Sequence, residues 1–149
     1  DLGFAGLALP AGGFIGFIDV PGHERFVRNM LAGITGVDHA LLIVAADDGI
    51  MPQTREHLEL LDLLGVTEGS VALTKIDRVD SARLDEVAAS VTELLAPTHL
   101  AGAPVFPVSA PGNVGIAALR DHLVSRVAQV KKPRHFPSWG HVAVQNRRV

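Results

Sequence analysis

Strand-like and helix-like segments alternate along almost the whole chain. Two short apolar stretches, residues 3–9 and 14–19, flank the turn-forming run Pro10-Ala11-Gly12-Gly13 and predict a β-hairpin. The longest continuous apolar run, Ala40-Leu41-Leu42-Ile43-Val44-Ala45-Ala46, stops at Asp47-Asp48-Gly49 and predicts a strand that ends in a turn. Helical spacing follows from about Gln53 to Leu64, with Gly65 where a C-terminal cap belongs. Strand 70–74, helix 81–95, strand 105–108 and helix 115–130 continue the series. Asp80 or Ser81 is suited to cap the helix behind it. One more helix is expected from His23 to about Gly33. After Val130 the periodicity stops. Residues 131–149, with two prolines, the only tryptophan and a basic end, read as a linker or ragged tail behind a domain spanning 1–130.

Repeated strand–helix alternation implies parallel strands joined by right-handed crossovers, with helices on both faces of the sheet. The expected fold class is therefore α/β, a three-layer sandwich around a mostly parallel sheet. Ligands of such sheets bind at the carboxyl ends of strands. Asp19, Asp47, Thr74 to Asp77 and Ser109 all fall there.

Composition narrows the picture without changing it. A length of 149 residues suits one domain, and a 48% hydrophobic fraction suits strands covered on both sides. The run at 40–46 is too short for a bilayer, which takes about 20 residues. No basic-then-apolar leader is present, so a cytoplasmic location without membrane attachment is expected. The absence of cysteine excludes disulfides and thiolate metal sites. A net charge of −3 gives no global basic field. The chain opens on Asp1-Leu2-Gly3-Phe4, inside a predicted strand, and has the look of a fragment.

Three motifs carry candidate chemistry. Asp19-Val20-Pro21-Gly22-His23 follows an apolar strand. An aspartate there can hold Mg²⁺ through water, and a glycine amide can approach a γ-phosphate because no Cβ intervenes. His23 is then placed to orient an attacking water, as the catalytic residue. Thr74-Lys75-Ile76-Asp77 also follows an apolar strand. Guanine offers two adjacent donors, N1–H and the exocyclic amine, and the Asp77 carboxylate can accept both. Adenine has no such pair and would leave a desolvated charge unpaired, which can discriminate by ~10⁴-fold. Lys75 can lay its methylenes along the base. Val108-Ser109-Ala110 ends the last strand; its amides can donate to guanine O6, with Ser109 stiffening the loop. Each motif alone is common. Their order, each at the carboxyl end of a predicted parallel strand, points to a GTP-binding domain.

Residues 19–30, Asp-Val-Pro-Gly-His-Glu-Arg-Phe-Val-Arg-Asn-Met, and 51–57, Met-Pro-Gln-Thr-Arg-Glu-His, resemble the translation-factor GTPases related to elongation factor Tu. The opening Asp1 to Phe4, Asn29 to Gly33, Ala72 to Lys75 and Ile76 to Asp80 are similar to the bacterial selenocysteine-specific branch. Thr74, where most GTPases carry asparagine, favours that branch over a general elongation factor Tu-like factor. The resemblance implies a P-loop-NTPase-type fold and the cofactors GTP and Mg²⁺. It implies hydrolysis of GTP to GDP and phosphate on the ribosome, with His23 catalytic when the ribosome places it. It also implies delivery of selenocysteinyl-tRNA through domains missing from this chain.

One family element is not found. No G-x-x-x-x-G-K-[ST] string occurs, so the expected fold lacks the first strand and its phosphate loop. That loop contributes several charge-assisted hydrogen bonds of ~1.5–3 kcal/mol each. Without it, GTP binding is expected to weaken by on the order of a thousandfold, and hydrolysis by this chain alone to be negligible. A missing central strand is expected to leave a gap or two exposed strand edges. A non-catalytic binding module with the same fold is the alternative this absence supports.

Overall fold

The protein, a computed structural model, is described over residues 3–10, 12–20, 37–128 and 139–145. In chain order the elements are β1 (Gly3–Ala8), β2 (Phe14–Val20), β3 (His39–Ala45), α1 (Pro52–Leu63), β4 (Gly69–Thr74), a 3₁₀ turn (Ile76–Arg78), α2 (Ser81–Leu95), β5 (Val105–Pro107), α3 (Ile116–Ala128) and β6 (Trp139–Gln145). The helix expected from His23 to Gly33 lies outside the described residues, as do Pro21, Gly22 and His23 themselves.

The local signals act where they were expected. Pro52 opens α1, where its missing amide hydrogen has no helical partner to lose. Gly65 closes it at φ +69°, with its amide on the Asp62 carbonyl and the Val66 amide on Leu61. Asp80 caps α2 by accepting from the Arg83 amide at 2.8 Å. β1 and β2 form the expected antiparallel hairpin, pairing Gly3 with Asp19 through Ala8 with Phe14.

The sheet has six strands in the order β1-β2-β6-β3-β4-β5, and every pairing except the hairpin is parallel. Strand alternation divides the side chains between two cores. On one face Ala40, Leu42, Val44, Val71 and Leu73 pack with Leu58 and Leu61 of α1 and Val87, Val91 and Leu95 of α2. On the other, Ile15, Leu41, Ala72 and Val108 pack with Leu123 of α3. These cores make the three-layer α/β sandwich, and each fully buried aliphatic side chain contributes roughly 1.5–3 kcal/mol. No helix among the described residues is long and apolar enough to cross a membrane.

The tail differs from expectation. Residues 131–149 read as a linker, yet Trp139–Gln145 form β6 in the middle of the sheet. It pairs β2 on one side, Phe14 with Trp139 through Val20 with Gln145, and β3 on the other, His39 with Val142 through Leu42 with Gln145. The gap or pair of bare edges expected between β2 and β3 is therefore not present. The physical reason is that two rows of unpaired backbone groups face each other there. A segment rich in valine with a tryptophan satisfies both rows at once.

Candidate functional site

Register sets the shape of the carboxyl edge. Val20 of β2 and Gln145 of β6 end level with Leu42 of β3, whereas β3 runs on to Ala45, level with Thr74 of β4. Three further residues at about 3.3 Å each make a step roughly 10 Å deep. The loops after β3, β4 and β5 stand above that step. Asp19 is the penultimate residue of β2 and lies on its lower side.

The loops after β4 and β5 are stitched together. The Val108 amide donates to Leu73 O at 2.8 Å, and the Ile76 amide to Val108 O at 3.5 Å. Ser109 is buried at 1% exposure, and its hydroxyl donates to Asp77 Oδ1 at 2.8 Å while accepting from the Gly112 amide at 3.2 Å. Ser109 and Val114 exchange two backbone hydrogen bonds, 2.9 and 3.0 Å, which fold the 109–114 loop back on itself. Gly115 follows at φ +72°, where a Cβ would collide with the Pro107 carbonyl oxygen, so only glycine fits this return. No hydrogen bond among the described residues uses the Ala110 amide.

Thr74 anchors the other side. Its carbonyl accepts from the Ala46 amide at 2.8 Å, and its hydroxyl approaches Val44 O at 3.5 Å. Lys75 is left-handed at φ 58°, an uncommon conformation for a residue with a side chain. Such backbone persists where the surroundings impose it, and it concentrates at functional sites. The turn aims Asp77 at Ser109 and leaves the carboxylate exposed to solvent.

The structure thus brings together Thr74, Lys75, Asp77, Ser109 and Ala110. It places the Asp19 backbone on the lower step of the same edge, and Pro21, Gly22 and His23 lie outside the described residues. Sequence reasoning missed one participant. Asp47 reads as a turn residue beside Asp48 and Gly49, but its Oδ2 lies 3.7 Å from Lys75 Nζ and 3.6 Å from Arg78 Nη1. Burial alone would raise its pKa. The Asp48 amide on Oδ1, and then Lys75 and Arg78, outweigh it and hold the carboxyl below its ordinary value. Its position at the carboxyl end of a parallel strand was the available signal.

A second polar cluster lies on the α3 face, away from the loops. His39 Nε2 shares a 2.8 Å hydrogen bond with Ser70 Oγ, and His122 meets it edge-on at 6.0 Å between ring centres. Burial, then His122, then Arg126 lower the His39 pKa to about 4.

Residues 12–129 match the model of the elongation factor Tu GTP binding domain family. The chain is 56% identical over 124 residues to the selenocysteine-specific elongation factor of Escherichia coli K12, covering 83% of this chain and 20% of that protein. Among solved structures, translation elongation factor SelB from Methanococcus maripaludis, in complex with the GTP analogue GppNHp, superposes with a TM-score of 0.78. Its sequence identity is 26%, and the match covers 90% of this chain and 29% of that one. A bacterial selenocysteine-specific elongation factor, EF-Sec, gives 0.77 at 33% identity, covering 88% and 22%. The chain thus spans about a fifth of the length of the curated relative it matches.

Proposed function

This chain belongs to the elongation factor Tu GTP-binding domain family, and on that premise we propose that it is the guanine-reading part of a cytoplasmic, selenocysteine-specific translation factor. The observation that carries the reading is the bond from buried Ser109 to Asp77 Oδ1. It turns one carboxylate oxygen inward, and the other is left to accept from guanine N1–H or the exocyclic amine. Lys75 supplies the stem that covers the base and a cation for the ribose side. The Ala110 amide is the donor for guanine O6.

At the phosphate end, Asp19, Pro21, Gly22 and His23 are proposed in the roles their sequence suggests. A carboxylate is a hard oxygen donor suited to Mg²⁺, and the position of Asp19 near the carboxyl end of β2 fits that use. When bound, the ion neutralises charge on the phosphate oxygens. Gly22 brings an amide close to the γ-phosphate, and His23 orients the attacking water. Identity to the Escherichia coli factor supports GTP-dependent delivery of selenocysteinyl-tRNA to the ribosome by the whole protein.

Asp77→Asn tests the base assignment. The asparagine keeps an oxygen for the Ser109 hydroxyl but presents an amide donor to the ligand. Xanthine carries a carbonyl where guanine carries its exocyclic amine, so preference should move from GDP to xanthosine diphosphate. Amide chemical shifts of residues 74–77 and 109–110, followed up to millimolar nucleotide, read even weak binding. An Asp77→Asn chain with unchanged preference, or a parent chain that treats GDP and ADP alike, would sink the reading.

A further inference from the structure

We infer that Asp47 is a positioning residue for the guanine-reading loop, drawing the cations of Lys75 and Arg78 to itself so that Asp77 between them keeps its charge for the ligand. The inference rests on the guanine reading above. It begins from a problem of charge placement. Lys75, Asp77 and Arg78 lie within four consecutive residues, and either cation could neutralise the Asp77 carboxylate. Among the described residues neither does. Both cations lean instead on Asp47 Oδ2, at 3.7 and 3.6 Å, across a separation of about thirty residues in sequence. Among the described residues Asp77 receives the neutral Ser109 hydroxyl and no cation.

The turn that carries Asp47 is itself fixed. The Gly49 amide donates to Ala45 O at 2.8 Å, the Asp48 amide to Asp47 Oδ1 at 2.9 Å, and Arg83 Nη2 from the first turn of α2 to Asp47 O at 3.3 Å. Arg83 is held in turn by Glu86 at 3.0 Å. The carboxylate is therefore presented from a braced turn rather than a free loop. Lys75 lies opposite with its left-handed backbone, a conformation that needs outside support. The ion pairs are partly exposed, with side-chain exposures of 28% for Asp47 and 37% for Lys75, so each should act modestly and through geometry.

Four variants of the 149-residue chain test this: Asp47→Asn, Asp47→Glu, Lys75→Met and the Asp47→Asn/Lys75→Met pair. Asp47→Asn should weaken GDP binding by about two- to fivefold, with Asp47→Glu recovering most of it. The double variant should lose less than the sum of the two single losses, since Asp47 acts partly through that lysine and keeps Arg78 as its second partner. Additive losses would overturn the assignment, because a merely structural aspartate costs the same whether or not Lys75 is present. A second readout needs no nucleotide. Amide exchange at Arg78 and Val79, whose amides donate to Lys75 O and Ile76 O, should quicken in Asp47→Asn while α2 is unchanged. Unchanged exchange there overturns the inference even if the chain binds no GDP, and that separates its failure from failure of the guanine reading.

Discussion

The two halves of the sheet are held together by different means. On one side, β3, β4 and β5 are neighbours in space and nearly so in sequence, each pair linked by a helix that packs on the strands it connects. On the other, among the described residues, the β1–β2 hairpin reaches the rest of the sheet by backbone pairing only through β6, some hundred residues further along the chain. The first half repeats one local unit and carries the base-reading loops. The second depends on a long-range pairing and carries Asp19. A site divided in this way can lose its phosphate end while keeping its base end, because the backbone pairings that hold the two ends are separate and the halves share only side-chain packing on the α3 face.

Breaking β6 gives the largest expected difference. Val142 pairs both Phe17 of β2 and His39 of β3. Val142→Pro removes a ladder donor in a central strand, where proline is not tolerated, and the acceptor left without it should cost about 1–3 kcal/mol locally. Residue-resolved hydrogen exchange should show β1 and β2 opening while β3, β4 and α2 keep most of their protection. Equal loss of protection in both halves would mean that the sheet is one cooperative unit and the contrast is wrong.

Acid should act on the α3 face, where the two halves share a core. The folded His39 value of about 4 lies below the ordinary 6.5. The stability gained by burying the neutral ring is therefore complete above pH 6.5 and is lost as pH falls towards 4. His39→Gln keeps a hydrogen-bonding group for Ser70 but cannot take up a proton. Across that window its unfolding free energy should vary with pH less steeply than that of the parent, by up to about 1.4 kcal/mol per unit. His122, lowered by burial and then by Arg126, should leave a residual slope in the variant. Superimposable profiles would show that His39 is not buried as a neutral ring.

The same division explains what could be read from the sequence. β3, β4, α1 and α2 were legible because apolar runs, the Asp80 cap and Gly65 are local signals that agree with the global fold. The positions of Thr74, Asp77 and Ser109 were legible because parallel strands present ligands at their carboxyl ends. β6 was not. Trp139 to Gln145 has little pattern of its own, and its pairing is decided by the unsatisfied edges of β2 and β3, more than a hundred residues away in sequence for β2. Asp47 was hidden for a related reason: Asp-Asp-Gly is accounted for as a turn, and its cationic partners are known only once β3 and β4 lie side by side. The His39–Ser70 bond comes from the same pairing, since neither residue carries a spacing that predicts the other.

The smallest effect tests whether the base-reading half is self-contained. Ser109→Ala deletes a hydroxyl that both donates to Asp77 and accepts from the Gly112 amide. The neutral bond is worth about 1 kcal/mol net and the one to the carboxylate about 1.5–3 where it is dry, less here because Asp77 is exposed, so GDP affinity should fall by roughly fivefold. Gly112 and Asp77 are exposed, so water can replace both partners and the thermal midpoint should move little. The exchange of the 109–114 loop should rise while the hairpin stays as it was, because no described hydrogen bond connects Ser109 to β1 or β2. Loosening of β2 in this variant would instead show that the base loops and the phosphate end communicate through the shared core of Ile15, Leu41, Ala72 and Val108. The two ends of the site would then have to be treated as one.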